Sequence, residues 1–181
     1  MKYIVLLRGI NISGKNKISM PILKNVLEKS DFKNVKTVLN SGNVILESDI
    51  DDIAKLSQKI FDIIKMEFQL EIPNYITTES QLEDVLNHSP EWWDTNDKEI
   101  YNNLIFIIPP STYNDIYSTV GEPSYNIDKI KEYNNYIFWS FDLNNYRKSN
   151  WWIKTASTNI KDKITIRTAN TVKKLLELCK K

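Results

Sequence analysis

The stretch Leu6-Leu7-Arg8-Gly9-Ile10-Asn11-Ile12-Ser13-Gly14-Lys15-Asn16-Lys17 has the chemistry of an anion site. It gathers two of the chain's four glycines, three cations and two asparagines, with no acid among them. Glycine lets the backbone approach a ligand and take positive φ, while peptide N–H groups, amides and cations face negative charge. The spacing Gly9-x-x-x-x-Gly14-Lys15 matches a phosphate-cradling Walker A loop. Three features argue against that chemistry. Asn16 stands where Ser or Thr would hold magnesium, the next helix is expected only near Pro21, and no apolar strand ending in a metal-binding Asp follows. What survives is phosphate or nucleic-acid contact through Arg8, Lys15, Lys17 and the peptides of Gly9 and Gly14. The competing reading is that both glycines serve a turn and Asn11 bonds the loop to itself.

Two further polar stretches carry candidate contacts. Ser41-Gly42-Asn43 forms a tight turn, and Thr165-Ile166-Arg167-Thr168-Ala169-Asn170-Thr171-Val172-Lys173-Lys174 sets hydroxyls, an amide and cations across a strand-to-helix junction. A helix N-terminus favours anions. Capping by Thr168 or Asn170 accounts for those two residues equally well, but leaves Arg167 unexplained. The single histidine, His88, closes a helix where a cation suits the dipole; the other role open to it is that of a base. Trp92-Trp93 and Trp151-Trp152 are able to stack bases or to pack an interface. Tyr136-Ile137-Phe138-Trp139-Ser140-Phe141 lacks the Gly-Phe/Tyr signature of RNA-recognition strands and is expected to be core on one side.

Composition narrows the class. In 181 residues, 41% are hydrophobic and 11% aromatic, enough to bury a real core. The only N-terminal apolar run, Tyr3 to Leu7, is cut off by Arg8, so neither a signal peptide nor a membrane partner is expected and the cytoplasm is the default compartment. One cysteine and one histidine leave no disulfide and no Cys/His zinc cluster, and neither metal nor cofactor is expected. Net charge is +1, but unevenly spread. Residues 1–50 carry eight Lys/Arg against four Asp/Glu, residues 51–144 six against seventeen, and residues 145–181 ten against two. Basic ends around an acidic middle fit a polyanionic partner, or simply a solvated surface.

These residues need elements to position them. A strand Tyr3–Leu7 is followed by a helix from Pro21 capped by Ser19, with Leu23, Val26 and Leu27 on one stripe. Strands Val35–Leu39 and Val44–Glu47 meet around Asn40-Ser41-Gly42-Asn43. A helix over 51–68 and an edge strand Ile72–Thr77 complete β-α-β-β-α-β, the split βαβ or ferredoxin-like plait. A helix Glu79–Asn87, capped by Thr78 with Gln81 three residues on, links to a polar Pro/Trp/Asp segment, Ser89–Glu99. The order then repeats: strand Asn103–Ile108, helix Tyr113–Val120, strands Ser124–Lys131 and Tyr136–Phe141, a helix within 146–158, strand Ile164–Ile166. A closing helix Thr171–Leu178 keeps Val172, Leu175, Leu176 and Cys179 on one face. The expected class is α+β, two ferredoxin-like (βαββαβ) plait subdomains over 1–78 and 100–181, the latter with the C-terminal helix, joined by 79–99.

Leu6-Leu7-Arg8-Gly9-Ile10-Asn11 with Gly14-Lys15-Asn16-Lys17 and Met20, then Ser41-Gly42-Asn43-Val44, then Thr165-x-Arg167 with Asn170-Thr171-Val172 and Lys174-Leu175, resemble the bacterial domain of unknown function 1697 family over essentially the whole chain. The resemblance implies the same two-plait fold and brings no activity. It marks Arg8, Asn11, Lys15, Asn43, Arg167, Asn170 and Lys174 as motif positions. The family's last motif usually reads Thr-x-Arg-Asn-Trp-Asn-Thr, and here Thr168 and Ala169 stand where Asn and Trp are expected, which removes a ring able to stack on a base. The expectation is an anionic ligand, either nucleic acid, a nucleotide or a phosphorylated small molecule. It would be held between the subdomains by Arg8, Gly9, Asn11, Gly14, Lys15, Lys17, Ser41, Asn43, Arg167, Asn170 and Lys174. One alternative is a transferase or hydrolase acting on a phosphorylated substrate, with Arg8 and Arg167 stabilising charge. The other is that the polar motifs are purely structural at the interface.

Overall fold

The structure, a computed structural model, describes residues 1–157 and 159–181. The chain divides into two compact units, one made of Met1–Leu82 with Leu175–Lys181, the other of Glu83–Lys174. The sequence places 175–181 with the second subdomain; by compactness they join the first unit, where Lys2 Nζ donates to the Cys179 carbonyl at 2.6 Å.

In the first unit, strands β1 (Lys2–Leu7), β2 (Lys33–Val38), β3 (Asn43–Glu47) and β4 (Asn74–Thr78) form an antiparallel sheet in the order β2-β3-β1-β4. Helix α1 (Met20–Lys29) is the crossover that leaves β1 and β2 parallel with β3 between them, and α2 (Ile53–Phe68) the one that leaves β3 and β4 parallel with β1 between them. Side chains alternate across a strand. Tyr3, Val5 and Leu7 of β1 therefore join Val44 and Leu46 of β3 in the core, against Leu23, Leu27, Leu56, Ile60 and Ile64 of the helices. The other face, with Ile4, Leu6, Asn43, Ile45 and Thr77, is buried as well. Burial of both faces explains why these strands read as apolar runs rather than as alternation.

Local signals account for most boundaries. Asp52 caps α2, its carboxylate accepting from the Ala54 and Lys55 N–H groups at 2.9 and 3.1 Å. Pro73 sits just before β4, which is an edge strand, as a missing N–H requires. Helix α3 (Glu79–Asn87) begins with the reciprocal box: Thr78 Oγ1 accepts from Gln81 N–H and Gln81 Oε1 from Thr78 N–H. Ser19 stands at the N-cap position of α1, but its hydroxyl makes no cap hydrogen bond; Pro21, at the second position, removes one of the two N–H groups it could have accepted from. The turn between β2 and β3 also sits one residue earlier than expected, over 39–42, and Asn43 is already in the strand.

The second unit repeats the order with β5 (Ile100–Ile107), β6 (Asp128–Tyr133), β7 (Tyr136–Asp142) and β8 (Ile164–Thr168), arranged β6-β7-β5-β8 and antiparallel throughout. Helix α4 (Tyr113–Val120) and the short α5 (Asn150–Thr155) cover Ile105, Ile107, Ile137, Trp139 and Phe141. Strand β6 starts at Asp128 rather than Ser124. The buried Asp128 carboxylate accepts from Ser124 N–H, from the Trp139 indole and from the Ser149 hydroxyl, which holds 124–127 as a turn. The helix expected within 146–158 is a single 3₁₀ turn, Tyr146–Lys148, followed by α5, which ends at Thr155; Thr158 lies outside the described residues. Helix α6 (Ala169–Lys180) starts two residues before the expected Thr171, since Thr168 Oγ1 accepts from Thr171 N–H and so occupies the cap.

Candidate anion-binding site

Strand β1 delivers the polar loop, and two apolar residues define its shape. Ile10 and Ile18 are both buried in the core of the first unit, while residues 12–17 between them are exposed. The segment therefore arches outward from two fixed feet. Arg8 N–H donates to the Pro73 carbonyl at 2.9 Å, and Asn11 N–H to Asn16 O at 3.2 Å. Inside the arch, Ile12 and Lys15 form an isolated bridge around Ser13 (φ 49°) and Gly14 (φ 77°). Two successive left-handed residues make a type I′-like reversal. The Gly14-Lys15 pair thus turns the chain back on itself, and α1 starts only at Met20. The phosphate-cradling loop that runs straight into a helix is absent here, as its departures in sequence imply.

The asparagines hold the loop together. Asn11 Nδ2 donates to Ile18 O and Asn40 O, both at 2.9 Å, and its Oδ1 accepts from Ile18 N–H. Asn16 Nδ2 donates to Gly9 O. Asn43, fully buried, donates to Val38 O and to the Ser41 hydroxyl. These bonds are what the self-bonding reading of Asn11 requires. The Ser41-Gly42-Asn43 turn lies against the root of the arch: Leu7 N–H donates to Gly42 O at 2.7 Å. A Cβ built on Gly42 would lie 2.8 Å from Leu7 Cβ and 2.9 Å from two Ile10 carbons. The first two motifs are therefore one structure. Its exposed cations are Lys15 and Lys17, with Arg8 half-buried at the root, and the Lys17 side chain passes 4.0 Å from the Cβ position of Gly14.

The third motif belongs to the second unit. Arg167, on β8 opposite Leu104, is 7% exposed, and its Nη1 donates to Thr165 Oγ1 at 2.8 Å and Ile166 O at 2.9 Å. Asn170 and Lys174 are exposed on α6. Two of the guanidinium's hydrogen bonds thus stay within its own strand, in an enclosed position.

Of the other candidates, His88, Trp93 and Trp151 pack locally within the second unit. His88 Nδ1 lies 2.8 Å from Asp84 O, and its ring stacks on Tyr133 at 4.3 Å. Tyr133 donates to Asp84 Oδ2, and desolvation together with that carboxylate raises its pKa. Trp93 and Trp151 are buried and donate to Asn103 O and Gly121 O. Displaced carboxyls are local too. Glu71 is lowered by its hydrogen bond to Lys65, Asp115 by the Thr112 N–H and hydroxyl, and Asp142 by Asn145 and Asn144. Burial pushes the Cys179 thiol up. Among the described residues no group of His, Cys, Asp and Glu could hold a metal ion, and no helix is long and apolar enough to cross a membrane. Sequence reading did not single out four lysines, Lys2, Lys24, Lys36 and Lys181, which line a separate concavity of the first unit. They are scattered over separate elements; only the pairing of β3 with both β1 and β2 shows that two of them share a sheet face.

Comparison with known proteins agrees with this architecture. The sequence model of a family described as "Protein of unknown function (DUF1697)" matches residues 1–138. The solved structure of the conserved bacterial protein SP0830 from Streptococcus pneumoniae is similar, with a TM-score of 0.85 at 24% identity over 98% of each chain. At that identity the likeness speaks to fold alone. No curated protein matches the chain.

Proposed function

The chain belongs to the DUF1697 family of unknown function, and from that premise we propose that its first unit binds an anionic ligand on the arched loop Arg8–Lys17. Nucleic acid, a nucleotide and a phosphorylated metabolite all present the chemistry this loop suits. We also read each sheet, with its split crossovers, as a ferredoxin-like plait.

One observation carries the binding reading. The loop raises Lys15 and Lys17 into solvent on a segment without any acid, while its asparagines are spent on holding the backbone rigid. A loop that served only as a turn would have no need of two cations at its crest. Rigidity matters because an ordered loop loses little entropy on binding. Gly9, with φ 64° and nothing within 4 Å of a built Cβ, leaves room for a ligand against the backbone beside Arg8. A second reading applies to the third motif: the burial of Arg167, with bonds to Thr165 and Ile166, favours a structural role for it.

The test is thermal shift against nucleotides, phosphorylated metabolites and short oligonucleotides, comparing wild type with Lys15→Ala/Lys17→Ala. Both positions are exposed, so the variant should melt like wild type without ligand. Ligands that bind only the folded state raise the midpoint by mass action. A shift present in wild type and lost in the double variant supports the site. No shift with any anion, or an equal shift in both proteins, overturns it.

A further inference from the structure

At the other end of β1 from the loop, Lys2, Lys24, Lys36 and Lys181 line a concavity of about 500 Å³, with Glu28 and Glu47 at its wall. Strand register places two of the four. Lys2 pairs with Glu47 and Lys36 with Ile45, so both lysines rise from the same sheet face, opposite to the Val44 and Leu46 face that meets the helices. Lys24 comes from α1 and Lys181 from beyond α6, and all four lysines belong to the first unit. With β1 running from Lys2 to Leu7, a rise of about 3.3 Å per residue puts Lys2 roughly 20 Å from Arg8. One small ligand cannot fill both places.

The existing partners of these lysines are weak. Lys24 meets Glu28 at 3.7 Å and Lys181 meets Glu177 at 2.5 Å, the first pair about half and the second about two-thirds exposed, and Lys2 donates to the Cys179 carbonyl. Exposed pairs of this kind contribute little and exchange readily for a stronger anion. The lining contains no arginine fork to read a planar carboxylate and no aromatic ring to stack a base. Four mobile point charges spread around an open concavity suit a run of phosphates better than a single one.

We propose that this concavity is a second anion site of the first unit, separate from the loop, and that it takes a run of linked phosphates, whether phosphoanhydride or phosphodiester. The proposal does not rest on the loop reading.

Fluorescence anisotropy of a labelled twelve-residue oligothymidylate, measured at 50 and 200 mM salt, tests it. The Lys24→Ala/Lys36→Ala variant should bind about ten-fold more weakly at low salt, with the log-log salt slope shallower by about 1.4, two contacts at ~0.7 each for a single strand. Competition by unlabelled inorganic tripolyphosphate at concentrations too low to alter ionic strength identifies the compact phosphoanhydride form. Its failure to compete, with the oligonucleotide still bound, identifies the strand. Both results uphold the site. A control pair elsewhere on the unit, Lys55→Ala/Lys65→Ala, should leave affinity within two-fold. Equal loss in the control, unchanged affinity in Lys24→Ala/Lys36→Ala, or no binding of either probe by wild type overturns the proposal. Lys15→Ala/Lys17→Ala, measured alongside, reports on the loop alone, so either site can fail while the other stands.

Discussion

Gly42 is the position where the geometry of the candidate site can be tested most sharply, by replacement with alanine. Its φ of 77° already strains any L side chain, at about 1–2 kcal/mol. A methyl group there would also press on Leu7 Cβ at 2.8 Å and on Ile10 Cγ1 and Cδ1 at 2.9 Å. Leu7 Cβ is fixed to the β1 backbone, and Ile10 is a β-branched side chain buried in the core, so neither can swing aside. Overpacking of this kind costs about 1–3 kcal/mol. Gly9→Ala is the internal control, because its φ of 64° imposes similar strain while nothing lies within 4 Å of the new methyl. Gly42→Ala should therefore be less stable than Gly9→Ala by about 2 kcal/mol. In a chain of this length that is a difference of about 4–8 °C in melting midpoint, readable by scanning calorimetry. Hydrogen exchange adds a local readout: the Leu7 amide, bonded to Gly42 O, should lose protection in Gly42→Ala and keep it in Gly9→Ala. Equal destabilisation of the two variants would refute the claim that the arch and the Ser41–Asn43 turn are locked together through Leu7 and Ile10.

Further outcomes follow from the second unit and from α6. Asp128→Asn is isosteric but turns an acceptor towards the three donors of Ser124, Trp139 and Ser149 into a partial donor. It should cost about 1–3 kcal/mol in urea unfolding, and no loss would mean that the network is not what shapes the start of β6. Asp115 has a lowered pKa, so the stability it lends is present above the ordinary carboxyl value and fades as pH falls through the folded one. The stability gap between wild type and Asp115→Asn should accordingly be widest near neutral pH and close as pH falls below the ordinary carboxyl range; a gap that widens with acid contradicts the role of Asp115 as acceptor of the Thr112 N–H and hydroxyl. Cys179 is fully buried with its thiol pushed up, so it should react with an aromatic disulfide reagent only after denaturation. Rapid labelling of the native protein would place it wrongly.

Two kinds of feature could be read from the residues alone. Capping and turn chemistry is local, and so Thr78 with Gln81 at the head of α3, and helix Tyr113–Val120, stand where the spacing puts them. The alternation of element types gave two four-stranded antiparallel sheets with helices. Some misses arose where a distant side chain intervened. Nothing near Ser124 in the sequence says that Asp128 will be buried against Trp139 and Ser149 and so delay β6. Pro21 was visible, but its cost to a Ser19 cap depends on helix phase. In the candidate site, glycine and asparagine content announced a tightly wound loop, and the structure supplies the bonds. Which asparagines face inward is a matter of φ and of the feet at Ile10 and Ile18. The lysine concavity was illegible because its members come from separate elements, two of them brought together only by strand register.

The five tryptophans all fall within residues 92–152, inside the second unit, and the first unit has none. Indole emission therefore belongs to one half of the molecule, while far-ultraviolet dichroism sums both. A melt followed by the two signals at once is a built-in differential measurement: coincident curves mean the halves lose structure in one cooperative step, and divergent curves assign the early transition to its half without any label. It also means that a ligand seated on the arched loop would leave tryptophan emission untouched unless its effect reached the other half. Silence of that signal during a titration is thus no evidence against binding, and tyrosine or calorimetric detection is the appropriate readout there.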